Sequence, residues 1–101
     1  MPFENCGARV YKVAAVQRDA PAASGVYGLS NAREWIYIAE TGNIQASLLE
    51  HLAEDERFGT SRLATGFSFE VCPPDFRVAR RNRLILELKP IGNSPLPPQP
   101  R

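Results

Sequence analysis

The chain has 101 residues, of which 44% are hydrophobic and 23% are charged, and its formal net charge is +1. These values are typical of one globular domain with a single modest core. A membrane-spanning protein is excluded as well, because no apolar run approaches the roughly 20 residues that a membrane helix needs. The first ten residues do not resemble a signal peptide, and neither Cys6 nor Cys72 has metal-binding or CxxC spacing. We therefore expect a cytoplasmic protein with two free thiols.

The charges are distributed unevenly along the chain. Residues 1–73 carry six basic and nine acidic side chains, whereas residues 74–101 carry six basic and two acidic ones. A positive C-terminal segment on a nearly neutral protein indicates an anionic partner.

The first half of the chain predicts an N-terminal segment followed by a β-hairpin. Residues 9–16 predict a short strand or an extended segment, and residues 17–24 predict a loop. The stretches "GVYGL" and "EWIYIAE" alternate as strands do, and "SNAR" between them supplies turn residues. The hairpin would have a five-residue loop over residues 30–34.

The alternation also predicts which side chains share a face of the hairpin. If Tyr27 lies opposite Tyr37, both tyrosines stand on the outer face beside Trp35. The opposite face, with Val26, Ile36 and Ile38, would then pack on the core.

The second half predicts two helices with a strand between them. Asn43 is a plausible N-cap for a helix over residues 44–55, and residues 67–72 alternate as a strand. Asp75 can cap a second helix, which Pro90 would end. Several apolar side chains of this helix can reach a core: Phe76, Ala79, Leu84, Ile85 and Leu88.

Three arginines of this last helix, Arg77, Arg80 and Arg81, lie together at the spacing i, i+3 and i+4. They predict either a solvated helix surface or a site that binds the phosphates of a nucleic acid. Phosphate binding of this kind should weaken steeply with added salt.

The order of elements predicts an α+β domain with a small antiparallel sheet and helices packed on it. We expect an N-terminal extension over residues 1–23, the domain over residues 24–93 and a proline-rich tail over residues 94–101. The tail contains a PxxP segment, Pro95 to Pro98, which is either a solvated tail or a ligand for a proline-reading domain.

Several segments together resemble the GIY-YIG nuclease superfamily. "GVY" is followed after nine residues by "YIA", then by "ETGNIQASLLEH", and the chain closes the pattern with "LILELKPIGN". The resemblance covers about residues 24–93. It implies a three-stranded antiparallel sheet flanked by helices, and an activity of metal-dependent phosphodiester cleavage.

The resemblance assigns roles to particular positions. Tyr27 and Tyr37 match the motif tyrosines, and His51 matches the histidine of the following helix, so these three are the candidate catalytic residues. The catalytic arginine of the family falls on Ser47, and the metal-binding glutamate falls on Arg81. Arginine at the metal position removes a ligand and adds a repelling cation, and loss of the catalytic arginine removes a charge that stabilises the transition state.

The leading hypothesis is therefore a degenerate, stand-alone GIY-YIG-like domain that binds nucleic acid, DNA or RNA, and needs no cofactor. One alternative is an active nuclease that uses Mg²⁺ or Mn²⁺ and a rearranged site with a carboxylate such as Glu40 or Glu50. Another alternative is a scaffold for protein partners, which would use the face around Trp35 or the proline-rich tail.

Overall fold

The computed structural model describes residues 9–31, 34–58 and 64–90, with residues 54–58 described by their backbone alone. The described chain forms three helices and a four-stranded sheet. In chain order the elements are β1 (Arg9–Val10), α1 (Val13–Asp19), β2 (Gly25–Ser30), β3 (Trp35–Thr41), α2 (Ile44–Phe58), β4 (Gly66–Val71) and α3 (Pro74–Leu88). None of these described helices combines the length and the apolar character that spanning a lipid bilayer requires.

The sheet is antiparallel throughout, with the strand order β1-β4-β2-β3. Strand β2 lies in the interior of the sheet, paired with β3 on one side and β4 on the other. Because side chains alternate along a strand, the sheet has two faces, and each is covered by different helices. The fold is thus α+β, as the sequence predicts, with one strand more than the three expected.

Helices α1 and α2 cover one face of the sheet. The core there combines side chains from both helices and from β2 and β4: Tyr11, Ala15, Val16, Ala20, Tyr27, Leu29, Ile44, Leu48 and Phe67. We call this side of the sheet the tyrosine face. Its core is the larger of the two, so burial of apolar surface holds α1 and α2 firmly against the sheet.

Helix α3 covers the opposite face, which we call the α3 face. Leu84 is fully buried there against Val26 and Ile38. Trp35 and Cys72 pack against the same cluster. Burial raises the pKa of the Cys72 thiol, and the nearby Glu70 carboxylate adds to the effect. Cys72 is therefore a protonated free thiol at neutral pH, and Cys6 lies outside the described residues.

The hairpin of β2 and β3 forms as expected, but the predicted register is wrong by two residues. Tyr27 pairs with Ala39 and Tyr37 pairs with Leu29. The reason is the turn: the side-chain oxygen of Asn31 accepts the backbone N–H of Glu34 at 2.9 Å. This contact closes a shorter connection than the five-residue loop predicted, and the strands are offset between Leu29 and Ser30.

The prediction that both tyrosines stand on the outer face of the hairpin is also wrong. A shift of two residues keeps both tyrosines on one face, because the side-chain period is two. That face, however, lies beneath α1 and α2, and Tyr27 is 4% exposed. Trp35 does not stand beside the tyrosines, since it packs on the α3 face.

The N-terminal segment differs from the extended lead-in that the sequence predicts. The strand ends after two residues, and helix α1 begins at Val13. Ala15, Val16 and Ala20 are buried in the core of the tyrosine face, so packing against α2 favours the helix over the strand preference of the valines. Strand β1 pairs with β4 and supplies the fourth strand.

Both later helices were predicted correctly in type and position. The side-chain oxygen of Asn43 accepts the N–H of Ala46 at 2.9 Å and caps α2, as expected. The predicted cap of α3 is wrong: the helix begins at Pro74, its N-cap residue is Pro73 with no side-chain hydrogen bond, and Asp75 lies in its first turn. The helix ends at Leu88, ahead of Pro90. Neither Phe76 nor Ala79 reaches a core, because Phe76 is 62% exposed and Ala79 is also exposed.

Gly25, the glycine of "GVY", allows the closest approach in the fold. A Cβ atom at this position would overlap the carbonyl oxygen of Glu70 in β4 and would lie 2.8 Å from the terminal carbon of Ile44 in α2. Both contacts are too short for any side chain larger than hydrogen. The absence of a side chain therefore lets β4 and the start of α2 meet over β2.

We predict that Gly25→Ala lowers the free energy of unfolding by about 2 to 3 kcal/mol, because the added methyl group meets backbone that cannot move away. Equilibrium denaturation in urea measures the effect. Gly42→Ala is the matched control, since its Cβ would lie 3.4 Å from the flexible end of Arg77. Equal losses for the two variants would contradict this account of Gly25.

Candidate functional site

The three residues predicted as catalytic lie together on the tyrosine face. Tyr27 of β2, Tyr37 of β3 and His51 of α2 form one group of rings, with the His51 centroid 5.7 Å from Tyr27 and 5.4 Å from Tyr37. The two tyrosine rings are 6.5 Å apart. Neighbouring strands place the tyrosines side by side, and α2 carries the histidine across them.

A short hydrogen bond joins two members of this group. The Tyr27 hydroxyl and His51 Nε2 are 2.7 Å apart. Tyr27 is buried, whereas His51 and Tyr37 are only partly buried. A buried phenol therefore holds an imidazole ring that is itself partly exposed. Such an arrangement fixes the orientation of a histidine, which is what proton transfer by that residue requires.

Two hydroxyl groups lie next along α2. Ser47 is four residues before His51, so both side chains project from the same side of the helix. The Ser47 hydroxyl is 2.7 Å from that of Thr41, at the end of β3. Thr41 also accepts the backbone N–H of Asn43 at 3.1 Å. The sequence predicts no role for Thr41, although the threonine of "TGN" just before the helix cap is an available signal.

Two of the three candidate arginines form ion pairs within the protein. Arg77 binds Glu40 of β3 at 2.8 Å, and Arg80 donates two hydrogen bonds of 2.9 Å to Glu70 of β4. Both pairs are about three-quarters or more buried. They attach α3 to the sheet, and no motif in the sequence indicates this role for Glu70.

Arg81 has a different environment. Its guanidinium contacts the amide oxygen of Asn82 at 2.9 and 3.1 Å. Since an amide is neutral, this contact leaves the positive charge uncompensated, and the side chain is partly exposed. Of the three predicted phosphate-binding arginines, Arg81 retains the most charge for an external anion.

The described residues do not provide a good magnesium site. Within residues 9–31, 34–53 and 64–90, no three side chains of histidine, cysteine, aspartate or glutamate come together. Magnesium prefers carboxylate and other oxygen ligands in octahedral geometry, whereas the tyrosine face offers an imidazole and neutral hydroxyls. Glu40 lies in the ion pair with Arg77, and Glu50 is an exposed residue of α2.

The three helices and the antiparallel sheet form an α+β domain, and this fold is similar to that of solved structures. The GIY-YIG N-terminal endonuclease domain of UvrC from Thermotoga maritima, bound to magnesium, matches with a TM-score of 0.64 and 21% identity. The match covers 78% of this chain and 96% of that domain. A variant of that domain with phenylalanine in place of a tyrosine also matches with a TM-score of 0.64 and 21% identity. That match covers 80% of this chain and 97% of the variant domain.

No protein-family model and no curated protein matches the sequence. The likeness to solved structures therefore establishes the fold, and the chain has the GIY-YIG fold that the sequence motifs indicate. The roles of individual residues rest on the geometry described above.

We predict that the buried ion pair of Arg80 and Glu70 couples α3 to the sheet by about 1 to 2 kcal/mol in a double-mutant cycle with Arg80→Met and Glu70→Gln. The control cycle uses Arg83 and Glu87, an exposed pair on the same helix with 3.7 Å between the charged atoms. The coupling energy of that exposed pair should be less than about 0.5 kcal/mol. Similar coupling energies from the two cycles would contradict the assigned role.

We also predict that Tyr27→Phe lowers the free energy of unfolding by about 1 kcal/mol, because it removes a buried hydrogen bond. The variant also removes the contact that orients the His51 ring. Nitrogen chemical shifts of the imidazole report the second effect. Tyr11→Phe is the matched control, since the Tyr11 hydroxyl donates to the Leu48 carbonyl of the same helix at 2.8 Å. Unchanged His51 shifts in Tyr27→Phe would rule out the assigned hydrogen bond.

Proposed function

We propose that this chain is a nucleic-acid-binding module in which the metal-dependent hydrolysis of a GIY-YIG nuclease is impaired. The observation that carries the proposal is the group formed by Tyr27, Tyr37 and His51. It is kept together on one face of a fold that resembles an endonuclease domain. Hydrogen-bonding groups that converge at a partly exposed surface are suited to a phosphodiester backbone.

Binding requires positive charge as well as hydrogen-bond donors. Arg81 supplies it from α3, the helix on the other face of the sheet, because its guanidinium contacts only a neutral amide among the described residues. Arg77 and Arg80 contribute less to an external field, since Glu40 and Glu70 neutralise them. We therefore assign the main phosphate contact to Arg81, and we assign to the other two arginines the support of the helix that carries it.

Impaired hydrolysis is supported by the residues at two positions. The motif resemblance places Ser47 where the family has its catalytic arginine and Arg81 where it has a metal-binding glutamate. The contacts agree with this loss: Ser47 bonds the Thr41 hydroxyl, and Glu40 pairs with Arg77. Neither arrangement supplies the charge that metal-dependent cleavage of a phosphodiester requires.

One observation favours a second candidate, an active metal-dependent nuclease with a rearranged site. The hydrogen bond between Tyr27 and His51 would let the histidine assist the tyrosine in activating a water molecule. Mg²⁺ or Mn²⁺ would then be needed, and Glu50 is an exposed carboxylate on the helix that carries His51.

Fluorescence anisotropy with labelled single- and double-stranded DNA and RNA tests the proposal, with EDTA, Mg²⁺ or Mn²⁺ in parallel. We expect binding in EDTA that weakens as salt is raised, because the contacts to phosphate release counterions. Arg81→Glu should weaken binding and reduce the slope of log Kd against log salt by about one.

Arg83→Glu is the matched control for charge, since it makes the same change on the same helix at an exposed residue already paired with Glu87. Affinity that does not depend on salt, or equal losses from both variants, would contradict the binding proposal. Cleavage that requires Mg²⁺ or Mn²⁺ and disappears in Tyr37→Phe would instead establish the second candidate.

A further inference from the structure

The hydrogen-bonded pair of Tyr27 and His51 leaves one imidazole nitrogen for a ligand. Tyr27 occupies Nε2, and no described residue makes a hydrogen bond to Nδ1. The ring is partly exposed. In the tautomer whose Nε2–H donates to the Tyr27 hydroxyl, the buried phenol orients an unprotonated Nδ1 that can exchange a proton with a bound molecule.

Tyr37 provides a second group for proton transfer. Its ring centroid lies 5.4 Å from that of His51, and the residue is partly exposed. Its hydroxyl makes no hydrogen bond to the part of the chain that the structure describes. A phenol beside an imidazole gives the site two separate groups that can accept and donate protons.

These groups suit RNA better than DNA. Hydrolysis of DNA needs an activated water molecule and a charge to stabilise the phosphate, usually from a metal ion. RNA carries its own nucleophile, the 2′-hydroxyl, next to the phosphate that is cleaved. An acid and a base are sufficient for that reaction, and the tyrosine face provides both without a carboxylate.

We propose that this site cleaves RNA by transesterification and that the reaction needs no metal ion. The inference rests on the proposed function, because it requires that the nucleic acid bound by Arg81 also reaches the tyrosine face. It goes beyond binding by naming the substrate class, single-stranded RNA, whose flexible backbone can bring the 2′-oxygen in line with the bond that breaks.

The step balances with groups of the protein and the substrate alone. His51 Nδ1 takes the proton of the 2′-hydroxyl, and the 2′-oxygen forms a bond to phosphorus. The bond from phosphorus to the 5′-oxygen breaks, and the Tyr37 hydroxyl protonates this leaving oxygen. The products are a 2′,3′-cyclic phosphate and a 5′-hydroxyl, and the proton on His51 returns to Tyr37 through solvent. No atom changes its oxidation state.

Tyr27 is a positioning residue in this reaction. It is buried and does not reach the substrate, but its hydroxyl holds the imidazole through Nε2. Loss of this hydroxyl should therefore lower kcat and leave the affinity for RNA unchanged, because the groups that contact the backbone are retained.

The test uses one oligonucleotide sequence made as RNA, as 2′-O-methyl RNA and as DNA, incubated with the purified chain in EDTA. We expect the RNA to be cleaved, with 2′,3′-cyclic phosphate and 5′-hydroxyl ends identified by mass spectrometry. The 2′-O-methyl RNA should be bound but not cleaved, because it lacks the nucleophile.

Variants separate catalysis from binding and folding. His51→Gln should lower kcat at least about 100-fold with Kd for the RNA within about twofold. Tyr27→Phe should lower kcat about tenfold. Tyr11→Phe is the matched control and should keep full activity, since its hydroxyl bonds the same helix outside the site. Added imidazole should restore part of the activity of His51→Ala, which a merely unfolded variant would not show.

The outcomes distinguish this inference from the proposed function. RNA and 2′-O-methyl RNA that bind equally and are both left intact in EDTA would overturn the cleavage proposal and leave the binding module. Cleavage that persists in His51→Gln would also overturn it. No binding to any of the three oligonucleotides would contradict both proposals.

Discussion

The contact that the rest of the fold depends on is the close approach of three elements at Gly25. Strand β4 and the first residue of α2 meet over β2 at a position where no side chain fits. This meeting point fixes where α2 starts on the sheet, and the Asn43 cap fixes its first turn. Two turns later the same helix carries His51. The glycine of "GVY" thus determines where the histidine lies above Tyr27.

The two faces of the sheet have different chemistry, although β2 contributes to both. On the tyrosine face a large apolar core surrounds a small polar group in which the Tyr27 hydroxyl bonds His51. On the α3 face, ion pairs of Arg77 and Arg80 with strand glutamates hold a helix over a smaller core. Ion pairs of α3 with strand glutamates therefore stabilise one side, whereas the tyrosine face combines its hydrogen-bonded rings with an ion pair of Arg9 and Asp19.

Much of the fold could be predicted from the sequence, and the reasons differ by element. Helix α2 and the hairpin were found because caps, turns and periodicity are local signals. Helix α1 was missed, since Val13 and Val16 favour a strand by their own preference and the segment is helical through burial against α2. The group of Tyr27, Tyr37 and His51 was identified by motif spacing. Its hydrogen bond and the pairing of Arg80 with Glu70 depend on contacts between distant segments, which spacing alone does not determine.

The alternation of side chains explains why the site has no carboxylate from the sheet. In β3, Tyr37 and Glu40 are three positions apart, so they point to opposite faces. Strand β4 has the same pattern, with Phe67 and Phe69 on the tyrosine face and Glu70 on the α3 face. No change in the pairing of these strands would bring either glutamate beside the tyrosines and leave the cores intact. The group of Tyr27, Tyr37 and His51 therefore receives no carboxylate from the sheet, and an ion pair on this side joins Arg9, which lies over Phe69, to Asp19 of α1.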